Sequence, residues 1–141
     1  LRGPALLYAN SDEQPLLGAA FANCIITGYS DDEIYGEQAS GETVFNYSFQ
    51  NCLLNTPEIS DDPNVLDNQW EKASNEIKRE KNFPHFDLDR LLYNFSLDAR
   101  SPAIGIADVS LTQRYYPCDR LGRPRLDDGQ ADAGCYECAE P

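Results

Sequence analysis

Residues 47–56 read YSFQNCLLNT and residues 19–28 read AAFANCIITG. At an offset of 28 residues Phe21 falls on Phe49, Asn23 on Asn51 and Cys24 on Cys52, while Ile25 and Ile26 fall on Leu53 and Leu54. Downstream, Ser30-Asp31-Asp32 recurs as Ser60-Asp61-Asp62. Phe45, Tyr47 and Phe49 alternate as a strand does, and Cys52 and Leu54 then alternate in the opposite parity. A parity switch inside one apolar run requires a bend. Asn51, like Asn23, stands at the switch, and Asn enters the left-handed backbone region more readily than other non-glycine residues. The unit is therefore strand, Asn corner, strand. Stacking would set Phe21 on Phe49 and Cys24 on Cys52, with the two asparagines hydrogen-bonded to each other in a ladder.

A repeat of β-type units at this period points to a solenoid. The expected fold is all-β: a right-handed parallel β-helix of roughly four to five coils, one domain spanning residues 1–141. A β-sandwich with two similar strands is the competing arrangement. A third copy is expected at Leu91, Tyr93, Phe95 and Leu97, which alternate. Phe95 regains the 28-residue spacing from Phe49 if residues 64–81, NVLDNQWEKASNEIKREK, form an insertion. Leu66, Trp70, Ala73 and Ile77 make a helical stripe there, with Asp62 and Pro63 placed to start it and Lys78 and Lys81 to end it.

The chain carries 11 Lys and Arg against 24 Asp and Glu, a net charge of −13. Nucleic acid and anionic membrane both need a positive footprint, so neither is the expected partner. Calcium, basic ligands and neutral glycans remain compatible. No apolar run approaches the ~20 residues of a membrane helix. The chain has no methionine and begins Leu1-Arg2-Gly3-Pro4, as expected of a processed or excised piece of a longer protein. The cysteines number five, so at least one is unpaired within the chain. Cys24 and Cys52 read as small core residues. Cys118 has Cys135 and Cys138 as candidate disulfide partners.

The last third adds Ser101-Pro102-Ala103-Ile104, then Asp119-x-x-Gly122-x-x-Arg125, then Asp132-Ala133-Gly134-Cys135-Tyr136-Glu137. In this order the motifs resemble the tail of bacterial right-handed parallel β-helix proteins of the pectin-lyase-like superfamily. The resemblance covers residues 93–137 by motif and 16–62 by repeat style. It implies that the segment closes the helix and that preceding coils of the same full-length chain are its neighbour. It also implies a secreted or cell-surface, polysaccharide-associated protein. Gly105 follows Ile104 where the family more often has Asp-x-Gly, and Cys135 replaces a small residue. Asp119 and Arg125 are expected to form an ion pair bracing the last loop, with Gly122 at a tight backbone position.

Catalytic signatures are lacking. The superfamily's polygalacturonases carry Asn-Thr-Asp, Gly-Asp-Asp, Gly-His-Gly and Arg-Ile-Lys, none of which occurs. His85 is the single histidine and reads as a loop residue. Asp31, Asp32, Asp61 and Asp62 would stack on one side and are candidate Ca²⁺ ligands, or else solvated loop charge. Tyr29, Tyr35, Tyr115 and Tyr116 fall in loop-like segments and are candidate platforms for sugar rings. The expected function is a polysaccharide-associated module without catalysis in this segment. A lyase or hydrolase with its active site on other coils, and a structural stalk or adhesin segment, are the alternatives.

Overall fold

The computed structural model describes residues 3–138. The repeat is present as paired strands. β2 (Leu16–Ala22) lies parallel to β5 (Phe45–Gln50), and β3 (Ile25–Ile26) parallel to β6 (Leu53–Leu54). Their registers set Phe21 on Phe49, Ile25 on Leu53 and Ile26 on Leu54. The Phe21 and Phe49 rings stack with centroids 4.9 Å apart. Asn23 and Asn51 turn the corners with φ of 55° and 52°. The Cys24 N–H donates to the Cys52 sulfur at 3.4 Å. The side-chain hydrogen bond between the two thiols holds Cys24 down to about 7, and together with burial it pushes Cys52 up.

A third copy follows at once, at residues 65–70. β7 (Val65–Leu66) pairs with β5 and β8 (Gln69–Trp70) with β6, both parallel, and Asp67 takes the corner with φ 54°. The helix expected over residues 64–81 is therefore absent. Its apolar stripe is overridden because the backbone is committed to β5 and β6. The Asn68 side chain reinforces that commitment, accepting from the Cys52 N–H at 2.9 Å and donating to the Phe49 carbonyl at 2.9 Å. Residues 79–82 form only a 3-10 turn.

Beyond Trp70 the stacking stops, and the expected right-handed parallel β-helix is not formed. Among the described residues the strands make four small sheets that are not curled into a solenoid: two of three parallel strands, one of two parallel strands and one of two antiparallel strands. In the third sheet β1 (Leu6–Ala9) pairs with β4 (Ile34–Glu37). In the fourth, β9 (Phe86–Asp87) runs antiparallel to β10 (Leu92–Tyr93). The alternating stretch around Phe95 thus adds no strand to β7. Phe95 packs instead on Phe83 and Phe86, with centroids 5.3 and 5.5 Å away.

The C-terminal third does not close an end. It lies along the flank of β3 and β6. Leu53 and Leu97, with Ala103 and Ala133, form a buried cluster against which Ile25, Phe83 and Ile104 pack. The Ala133 N–H donates to the Ala103 carbonyl and the Gly134 N–H to the Asn23 carbonyl, at 2.9 and 2.8 Å. Gly134 has φ 97°, and a Cβ there would stand 3.0 Å from the Ile25 side chain, so only glycine suits this approach. α1 (Val109–Tyr115) begins at Asp108, whose side chain accepts the Leu111 N–H.

The flank also explains what the asparagines do. They form no ladder. The Asn23 side chain donates to Thr112 Oγ1 at 3.2 Å and accepts the Asp108 N–H at 2.8 Å, whereas Asn51 donates to the Ile106 carbonyl at 2.9 Å. Each corner side chain points outward and ties the flanking segment to the sheets. Asn82 is a third tie, and no motif in the sequence marks it. It is fully buried, donates to Glu71 at 2.6 Å and accepts from the Ser101 hydroxyl at 2.7 Å.

Candidate functional site

A cavity of about 610 Å³ opens between the first repeat and the flanking segment. Asn23 and Ile25 contribute from the repeat, Phe83 and Phe95 from the loops around β9, and Tyr116 and Arg120 from beyond α1. The apolar lining follows from the corner geometry. Once Asn23 turns the chain, Ile25 faces the flank, and Phe83 packs against the same cluster. Tyr116 is 66% and Phe95 39% exposed, so both rings present surface to solvent. The Arg120 guanidinium has no hydrogen bond or ion pair with the described residues, leaving its donors available to a ligand.

The cavity's inner wall is a braced loop. Asp119 does not pair with Arg125, contrary to expectation. Its Oδ1 accepts the Leu121 and Arg123 N–H groups at 2.7 and 2.9 Å, and its Oδ2 accepts the Glu137 N–H at 3.2 Å. Burial pushes this carboxyl up, but the backbone donors and the Arg123 charge outweigh burial and hold it below the ordinary range. Gly122 completes the turn with φ 80°. The buried Arg125 pairs with Glu137 at 2.7 Å and donates to the carbonyls of Asp132 and Gly134 at 3.2 and 3.0 Å. Asp132 accepts from Gly105 N–H at 2.8 Å and from Cys138 N–H at 2.7 Å.

Glu137 is the perturbed acid of this group. Burial, then the Asp132 carboxylate, push it up to about 7 against the pull of Arg125. A raised carboxyl, Glu137, whose backbone N–H bonds a lowered one, Asp119, invites comparison with acid–base pairs. Here, however, both are consumed as internal acceptors, and Glu137 does not line the cavity. Their work is structural.

The candidate residues from the sequence separate. Tyr115 stands beside Tyr116, ring centroids 6.3 Å apart, with the Arg114 guanidinium 5.1 Å from its ring centroid. Tyr29 and Tyr35 line neither this cavity nor the one of about 390 Å³ bounded by Tyr8 and Tyr47. The four aspartates do not converge. Asp31 pairs with Arg79, Asp32 accepts from the Thr56 hydroxyl at 2.5 Å, and Asp62 accepts from the Tyr47 hydroxyl. Asp61 is exposed. Among the described residues no group of three or more His, Cys, Asp or Glu side chains is placed to hold a metal ion. Cys118 and Cys135 are both thiols, so Cys118 closes no bridge to Cys135 or Cys138. No described helix is long and apolar enough to cross a membrane.

No family model, no curated protein and no solved structure matches this chain. Nothing in those comparisons identifies it with the pectin-lyase-like superfamily.

Proposed function

We propose that the chain is a secreted or cell-surface module that binds polysaccharide without catalysis of its own, and that the 610 Å³ cavity receives a sugar unit. The observation that carries this reading is the pairing of exposed aromatic faces, Tyr116 and Phe95, with the unengaged Arg120 donors at one opening. A sugar offers an apolar ring face and a rim of hydroxyls, and binding sites for such ligands combine apolar walls with a few fixed polar groups. Asn23 and Asp119 supply none of the free polar groups, since their side chains are used internally.

The test is a glycan array followed by calorimetric titration of any ligand found. Tyr116→Ala and Arg120→Ala should each weaken that ligand by roughly tenfold or more, because both residues stand at the opening and little else there would compensate. Tyr115→Ala should have a smaller effect, since its ring packs on Tyr116 and Arg114. An array without a binder for the cooperatively folded protein would contradict the proposal and favour a structural stalk.

A further inference from the structure

A second cavity, about 390 Å³, lies on the other side of the corner, among β1, β4 and β5. Its walls include four aromatic rings. Tyr8 lies 5.5 Å from Phe45, 5.0 Å from Tyr47 and 5.8 Å from Phe49, measured between centroids. These rings come from alternate positions of β1 and β5, which the strand period turns to one face. Gly36 of β4 also lines the cavity, and a Cβ there would meet the Tyr8 ring at 2.6 Å. The cavity opens past the exposed Ile59 and Gln38.

Among the described residues the one charged side chain that lines this cavity is acidic. Asp32 lines the cavity, and Asp62 accepts the hydroxyl of Tyr47. No described Lys, Arg or His lines it. The Asp62 hydrogen bond and then burial push Tyr47 up to about 12, and burial followed by the Asp62 charge pushes Tyr8 up as well. An anionic ligand would enter against this field, and a neutral one would leave it unused. The whole chain, at −13, adds long-range attraction for cations.

We infer that this aromatic cavity is a binding site for an organic cation of the quaternary or methylated ammonium class. Such a cation is attracted to ring faces by their quadrupoles and keeps an apolar surface that fits the walls, while the carboxylate at the lip balances its charge. A metal ion would require a convergent oxygen shell, which the described residues do not provide. The inference is independent of the glycan reading, since the two cavities share no lining residue.

Choline chloride is the direct probe, and 3,3-dimethyl-1-butanol is its neutral isostere. Calorimetric titration of the wild-type protein should show one saturable choline site, with the neutral probe bound at least about tenfold more weakly. Asp32→Asn retains an acceptor for the Thr56 hydroxyl, so the fold should persist and a cooperative melt should confirm it. That variant should weaken choline several-fold and leave the neutral probe unchanged. Choline should shift the ring resonances of Tyr8 and Tyr47 in NMR spectra. Equal affinity for the two probes, no saturable choline binding by the folded protein, or unchanged choline affinity in Asp32→Asn would each overturn the inference.

Discussion

Replacing Arg125 with alanine should destabilise the protein by about 3–5 kcal/mol, the cost of breaking a buried ion pair by removing one partner. The side chains of Arg125 and Glu137 are 9% and 13% exposed, so water cannot replace what is lost. The substitution leaves the carboxylate of Glu137 and the carbonyls of Asp132 and Gly134 without their shared donor. Those carbonyls belong to the segment that holds the flank to Asn23. The effect should appear as a reduced urea midpoint. It should be larger above pH 7 than below, because at lower pH Glu137 takes up a proton and no charge is stranded. Arg125→Lys should fall between, since a lysine restores the charge but not the planar fork that serves three acceptors. In the wild-type protein the raised Glu137 acts opposite to ordinary acid denaturation. Its contribution to stability is full below about 4.5 and is lost as pH rises through about 7. Asp119, held low, contributes above the ordinary carboxylate range, and that contribution is lost as pH falls through its depressed value.

Leu53→Ala should cost about 2–5 kcal/mol, as large-to-small changes in a close-packed core do. Leu53 is fully buried. It sits at the centre strand of its sheet, between β3 and β8, and also touches Leu97, Ala103 and Ala133 of the flank. Small alanines surround it on the flank side and cannot reach into a void. Both the sheet and its cover should loosen, so near-UV dichroism should weaken together with the thermal midpoint. Leu54→Ala removes a side chain of the same size, 1% exposed, from the opposite face, where it packs on Phe49 and Cys52. It should cost a similar amount and leave the flank in place.

The fold was legible in the sequence where local identities were rare. Phe, Asn and Cys recurring in one frame fixed both the register and the corner, and the parity switch at Asn51 corresponds to a left-handed residue. The next copy was hidden because the spacing shrinks from 28 residues to 16 and Asp67 takes the place of Asn. The helical stripe through Leu66 and Trp70 was real as a pattern, but two-residue strands paired to an already ordered neighbour outcompete it. The tail motifs were legible as residue types and not as partners. Asp119 satisfies three backbone donors, a role that sequence spacing does not distinguish from pairing with Arg125. The cavities were illegible, because residues near 23, 83 and 116 meet only after the flank has folded back. The tie between Ser101 and Asn82 gave no signal either, because Asn82 follows Arg79-Glu80-Lys81 and Ser101 follows Arg100, so both read as surface residues.

The central claim is that residues 101–138 are part of the same cooperative structure as the paired repeats, clamped on their flank through Asn23, Arg125 and the Leu53 cluster. Native-state hydrogen exchange followed by NMR tests it directly. The amides of Leu53 and Asn55, bonded to Cys24 and Ile26, should exchange together with those of Ala133 and Gly134, bonded to Ala103 and Asn23. All four should open only through global unfolding and share one denaturant dependence. Exchange of Ala133 and Gly134 orders of magnitude faster than Leu53, with little dependence on denaturant, would show the flank detaching on its own and would contradict the account.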